Sequence, residues 1–456
     1  MEPSVFKDKW ALLEATMVKS AVIGREPKIS IVIPSLKQRY AAALGISSIL
    51  FFWPLVLSFG SVGVPIYFIT SIFLICVTKF TRADMARFVG GVICLSFLLW
   101  VQKAQGVEFT TPLRSISSIL FVSLIVACVY RWLIITIRAG PFPLFKIFSV
   151  LLLFQLVVMI FQLAAWYAGD YENQFAHYLL NIPRVSGIFS EPSQVAMSLS
   201  PFICLFICFR KLSTRWLGKI GLISLLAIFL LCPSTTMIGV IGLALIFKQI
   251  QSLKSIRQVI MSTFVFLAVG SLIAFSVINI PDVNIRIMAL LNVISGSSEI
   301  SENINMTSLV YIKGAEMAWA SLLHYPLGVG LLNLQVLNDF SVVSSISEQM
   351  YNQNTMDGGS IAFKLIGEYG YIGLLIVILI FVTCMNSIRC SDFNNILFGI
   401  MLFGIIATFL RGASYFDGVP IIALTILFIK IRSYIIQKTH KGKVYSVAMS
   451  TSIRQA

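Results

Sequence analysis

Apolar stretches long enough to cross a membrane follow one another along almost the whole chain. Twelve are read, near 40–58, 62–78, 86–101, 115–137, 144–168, 192–209, 217–232, 235–250, 258–280, 360–385, 394–411 and 418–436. They compare with the roughly 17–25 residues that a helix needs to span hydrocarbon. Inside a bilayer the backbone must satisfy its own hydrogen bonds, which for segments of this length means helices. The expected fold is therefore all-α: a polytopic integral membrane protein with about twelve transmembrane helices. Composition leaves no soluble alternative. Apolar residues make up 58% of the 456 and charged residues only 12%, about half the charged share of a soluble domain. The mean hydropathy is +0.91.

The charges set an expected orientation. A net charge of +15 would point to nucleic acid in a soluble protein, but here its distribution over the loops carries the information, and no nucleic-acid partner is expected. Twelve spans put both termini on one side. Seven basic residues (Lys103, Arg114, Arg184, Arg286, Lys313, Lys364 and Arg411) fall on the opposite side, leaving the other 27 of 34 on the side of the termini. That side is read as cytoplasmic. Residues 1–39 carry Phe6, Trp10, Leu13 and Met17 at the spacing of one helix face, with no apolar core before a cleavage site. They are expected to form an interfacial cytoplasmic helix and not a signal peptide. Residues 40–436 then make the transmembrane domain, and 437–456 a basic cytoplasmic tail. The eight cysteines lie in or at the ends of apolar stretches and read as small hydrophobes. No His or carboxylate neighbours Cys204 and Cys208, so no metal site is expected.

Polar mass gathers on the outer side. The cytoplasmic loops are short and basic, and the chain contains neither GxxxxGK[ST] nor DxD. Residues 169–191 form an outer loop of moderate length, and 281–359, between spans nine and ten, form the largest. Within the latter, Thr307–Tyr325 has apolar residues and Trp319 at helical spacing and is expected to lie against the membrane surface. Any chemistry is expected on this face.

Four clusters there carry reactive side chains. Arg184-Val-Ser-Gly-Ile-Phe-Ser-Glu-Pro-Ser193 precedes span six; Pro192 and Glu191 make a good helix start, a structural role for Glu191 that stands beside a direct one. Arg184 is a fork that matches phosphate oxygens. Asp282 and Arg286 follow span nine at i,i+4. His324-Tyr-Pro-Leu-Gly-Val-Gly330 puts a rare histidine beside glycines that let backbones approach closely. Finally, Asp357-Gly-Gly-Ser360 leads into span ten, and Arg411-Gly-Ala-Ser-Tyr-Phe-Asp417 joins the last two spans. Lys364 and Glu368 in span ten read as a mutual pair, and Arg131 near an inner helix end as a snorkelling side chain. Snorkelling explains each of Arg184, Arg286 and Arg411 singly; convergence on one polyanion explains all three.

Taken in order, Arg-x-Ser-Gly-x-Phe-Ser-Glu-Pro-Ser, Pro-Ser-Thr-Thr (233–236), His-x-Pro-Leu-Gly-Val-Gly, Gly-Glu-x-Gly-x-x-Gly (367–373) and a late Arg-Gly-x-x-Tyr-Phe resemble the O-antigen polymerase and ligase superfamily, across roughly residues 150–420. The resemblance implies a multi-pass protein of the bacterial inner membrane that acts at the periplasmic face, with undecaprenyl-diphosphate-linked glycan as donor and acceptor. It implies no metal and no cofactor, and a separate chain-length regulator as partner. On it, Arg184, Arg286 and Arg411, with Tyr415, would bind the diphosphate, and Glu191, His324 and Asp357 would supply the base. Ligases of the superfamily carry a histidine eleven residues before the first glycine of Gly-x-x-Gly. Here that glycine is Gly370 and the position is Gly359, which favours polymerase over ligase. A flippase for lipid-linked oligosaccharides is the alternative from another class, but it would call for internally repeated halves and charges near the midplane.

Overall fold

Helices form where the sequence places apolar runs. The computed structural model describes residues 34–52, 56–59, 62–107, 112–168, 177–179, 182–189, 191–232, 234–252, 306–346, 359–390, 392–410 and 418–433. Expectations for 1–33, for the stretch 258–280 and for the tail fall outside them. Besides the short helices Leu334–Phe340 and Val342–Ile346, twelve helices organise the described residues: α1 (Leu36–Phe52), α2 (Ile66–Thr78), α3 (Arg82–Ala104), α4 (Pro112–Ala139), α5 (Phe142–Tyr167), α6 (Pro192–Cys208), α7 (Arg210–Leu231), α8 (Thr235–Ser252), α9 (Met306–His324), α10 (Ile361–Arg389), α11 (Phe393–Thr408) and α12 (418–433). Five of them, α3, α4, α5, α7 and α10, are long and apolar enough to cross a membrane; α2, α6, α8 and α11 are apolar but shorter. The chain is a helical membrane protein. Its surface agrees: Phe73, Trp100, Phe161 and Leu230 are exposed, a distribution that suits lipid and not water.

Two short antiparallel ribbons depart from the all-helical expectation. Val56–Phe59 (β1) pairs with Val62–Pro65 (β2), Phe59 opposite Val62, where the sequence reads as the end of one span and the start of the next. Pro65 works against continuous helix, and valines favour extended backbone. His177–Leu179 (β3) likewise pairs with Ile182–Arg184 (β4), His177 opposite Arg184.

Close helix contact is made by small residues. Gly45 on α1 takes the ring of Trp132 from α4, which a Cβ would approach to 2.6 Å. Phe148 packs edge-on to Phe202 at 4.8 Å, with Phe51 beside both. Buried hydroxyls bond to backbone within their own helices: Ser47 to Ala43 O, Ser71 to Tyr67 O and Thr78 to Leu74 O. Pro201 inside α6 removes the N–H that would have bonded Met197 O, and the Ser200 hydroxyl donates to that carbonyl instead. Helix α7 is interrupted at Gly218, with φ 68°. Ser149 on α5 donates to the carbonyl of Leu217 at 2.6 Å and so caps the preceding basic segment.

Candidate functional site

The third and fourth sequence motifs meet at a break in a helix. Gly370 interrupts α10 with φ 56° and ψ −132°, a conformation that strains any residue with a Cβ. Such a break frees backbone groups, which in an apolar setting must find other partners. The segment 325–332 supplies them. Val329 N–H donates to Gly367 O at 3.1 Å and Gly330 N–H to Glu368 O at 3.0 Å, while Tyr371 N–H donates to Pro326 O at 2.9 Å. Ser321 from α9 donates to Gly367 O at 2.8 Å. Gln102 from α3 donates to both Glu368 O and Leu327 O at 2.9 Å. Ser115 of α4 donates to Leu331 O.

Three glycines of the two motifs are explained by this contact and by the break in α10. A Cβ on Gly328 would stand 2.1 Å from Glu368 O, one on Gly370 2.0 Å from Pro326 O, and one on Gly373 1.8 Å from Leu365 O. Lys364 and Glu368 are fully buried, their charged atoms 4.0 Å apart. Their pairing is thus as expected, and Glu368 does more: its Oε1 also accepts the N–H of Leu332, which has φ 59°. An apolar cavity of about 230 Å³ adjoins this joint, lined by Leu95, Val122, Leu331, Leu365, Tyr369 and Leu424 among others from α3, α4, α10 and α12.

The first and second motifs form another joint. Residues 185–189 are held on α5 by two glutamines seven residues apart. Gln155 donates to Ser186 O and accepts from Ile188 N–H, and Gln162 donates to Gly187 O and accepts from Gly187 N–H. Gly187, with φ 66°, lies where a Cβ would strike Gln155. Pro192 occupies the first turn of α6 as expected, with Glu191 at the N-cap. The Glu191 carboxylate does not cap the helix; it accepts from the Ser193 hydroxyl at 2.9 Å. In the second motif Ser234 caps α8 by accepting from Met237 N–H. Cys232 Sγ lies 3.7 Å from Pro192 O, so the two motifs adjoin.

Helix α11 links the joints. Its Gly404 packs on Pro201 of α6, and Phe409 O, just past its end, accepts from Tyr311 of α9 at 3.1 Å. The expected helix over Thr307–Tyr325 is present as α9, with Trp319 exposed. His324 is also exposed, at the end of α9, its ring stacked on Phe340 at 4.6 Å. Lys313 on α9 is 2% exposed, and burial lowers its ammonium to about 8. The described contacts hold Glu191 and His324 in separate joints and do not join them. Arg184 closes the β3–β4 ribbon; Arg286, Asp357, Arg411 and Tyr415 lie outside the described residues.

Arg131 does not simply snorkel. Two of its nitrogens donate to Thr78 O at 3.4 Å, and it stands 3.9 Å from the buried Asp84. Sequence reasoning also missed Gln102, Gln155 and Gln162; the available signal was a polar amide isolated in an apolar stretch. Among the described residues no group of His, Cys, Asp and Glu has the arrangement of a metal site. No protein-family model and no curated protein matches the chain.

Proposed function

We propose that the chain is a polysaccharide polymerase of the bacterial inner membrane. It would join undecaprenyl-diphosphate-linked repeat units at the periplasmic face, in the synthesis of O-antigen or another surface polysaccharide. The observation that most supports this reading is the interlock of residues 325–332 with the broken helix at Gly370. Two motifs of the resemblance, forty residues apart, form one rigid backbone joint, and an apolar cavity lies directly beside it. A polar, preorganised helix break next to apolar space suits a substrate with a charged head and a lipid chain.

In this reading the chain crosses the membrane twelve times, with both termini cytoplasmic and 281–359 as the large periplasmic loop. Arg184, Arg286 and Arg411, with Tyr415, bind the diphosphate, and the arginines stabilise the charge that grows on it as it leaves the anomeric carbon. Glu191, His324 or Asp357 takes the proton of the acceptor hydroxyl. The glycan passes from its lipid diphosphate to the next lipid-linked unit, and a chain-length regulator sets when this stops.

Purified protein in detergent, given the lipid-diphosphate repeat unit without lipid A core, is expected to yield a ladder on a gel. Single units that shift only when lipid A core is added would replace this reading with a ligase. No product under either condition, from folded protein, would favour a flippase. Arg184→Lys keeps the charge and loses the fork. It should shorten the ladder, whereas Arg210→Lys on α7 should not; equal, wild-type-like ladders from both would remove Arg184 from the diphosphate site.

A further inference from the structure

At the opposite end of the helices from the motif joints, arginines from two helices converge on Tyr130 of a third, with Arg131 as its chain neighbour. The Arg87 guanidinium of α3 lies 4.0 Å from the ring centre of Tyr130 on α4, and that of Arg432 on α12 lies 6.0 Å from it. Arg432 also donates to the Tyr130 hydroxyl at 2.8 Å. Arg131, the next residue of α4, reaches over the end of α2 to Thr78 O.

Among the described residues one carboxylate, Asp84, lies against this group, and it is largely committed. Asp84, 1% exposed, accepts from the N–H and the hydroxyl of Thr81 in the capping box of α3, and from Arg87. Arg131, at 3.9 Å, stands beyond hydrogen-bond distance from it. The Nε of Arg87 is buried and has no hydrogen-bond partner among the described residues. Arg87 and Arg131 share this one carboxylate and Arg432 adds a third charge at Tyr130, leaving a positive excess that is costly at a lipid boundary.

The surroundings identify the counter-ion. Phe428 on α12 packs edge-on to Tyr130 and is exposed, and the same helices expose Phe73 and Val77 on α2, Met85 and Val89 on α3, and Ile431 on α12. Their apolar faces suit acyl chains, and Arg432 in the last turn of α12 and Arg87 in the second turn of α3 sit near helix ends, where headgroups lie. Guanidiniums pair with phosphate oxygens through paired N–H donors, and basic pockets between transmembrane helices suit acidic lipid headgroups.

We infer that Arg87, Arg131 and Arg432, with Tyr130, form a binding site for the phosphate of an acidic phospholipid. The site is independent of the glycan chemistry proposed above and of which aqueous face carries it. The test uses the full-length protein, delipidated in a neutral detergent. Phosphatidylglycerol or cardiolipin should raise its melting temperature and remain bound in native mass spectrometry, while phosphatidylcholine should do neither. Arg432→Gln removes an exposed side chain with little risk to the fold and should weaken retention by about tenfold, the loss expected for one charge-assisted hydrogen bond. Arg87→Gln should weaken it at least as much if the variant folds. Arg210→Gln, at the start of α7, should leave it unchanged. Equal retention of phosphatidylcholine, or undiminished retention by Arg432→Gln, would overturn the proposal. So would inorganic phosphate that displaces the lipid and reproduces the full thermal shift, since the site would then be one for free anions.

Discussion

The joint at Gly370 and the arginine cluster at Tyr130 both tie distant helices together, by opposite means. At Gly370 backbone meets backbone, and the joint exists because glycines in both motifs leave no side chain between them. At Tyr130 side chains reach across from α3, α4 and α12, and the contact is made of charge, an aromatic face and one shared carboxylate. A backbone joint tolerates almost no added atom, whereas a side-chain cluster yields gradually and responds to the ions around it. The first is suited to fixing a geometry, the second to sensing a surrounding.

The sharpest way to break the comparison is to add single methyl groups. Gly370→Ala would place a Cβ 2.0 Å from Pro326 O at a positive φ. It is expected to destabilise the protein by on the order of 3 kcal/mol or more, read as loss of a monodisperse peak in fluorescence-detected size exclusion. Gly90→Ala and Gly242→Ala, with nothing within 4 Å of the new atom, should be neutral or stabilising by up to about 1 kcal/mol. If all three behave alike, the backbone joint is not what holds α10 to the 325–332 segment.

Glu368→Gln should come next, at about 3 kcal/mol, because it leaves Lys364 buried without its carboxylate. The double variant Lys364→Met with Glu368→Gln should recover part of that loss in a thermal melt; additive losses would show that the two residues are not coupled. Gln155→Ala should cost about 2 kcal/mol, from two hydrogen bonds to the 186–188 backbone. On the proposed function it should shorten the glycan ladder more than it lowers the melting temperature.

The smallest effect is a pH slope. Lys313 releases its proton near pH 8 when folded and near 10.5 when unfolded. Between those values the unfolded chain binds more protons, so this residue makes stability rise with pH over that window and contributes no slope well below it. Melting temperatures measured from pH 7.5 to 10 should show a slope that Lys313→Met flattens; an unchanged slope would assign it to other groups.

The same contrast explains what was legible in the sequence. Each apolar stretch other than 258–280 overlaps a described helix, because hydropathy over some twenty residues is a local property. The glycine motifs were visible as glycines, though their meaning, a mutual contact between 328 and 368, needed the fold. Pairings made by lone side chains were not legible. Gln102, Gln155 and Gln162 are not singled out, and Arg131 reads as an ordinary interfacial arginine, since their partners lie on other helices or loops far along the chain. The ribbon at 56–65 was hidden by its own hydrophobicity, which satisfies a span and a strand alike.

The helix break has a consequence for biogenesis. The segment that completes the hydrogen bonding of α10 precedes it in the chain, so residues 325–332 leave the ribosome before the helix they complete. Until they dock, the N–H of Tyr371 lacks its Pro326 partner, and the carbonyls of Gly367 and Glu368 have only Ser321 and Gln102 to turn to. The broken form of α10 is therefore tied to a tertiary contact, and the helix takes its final shape only once the preceding segment is in place.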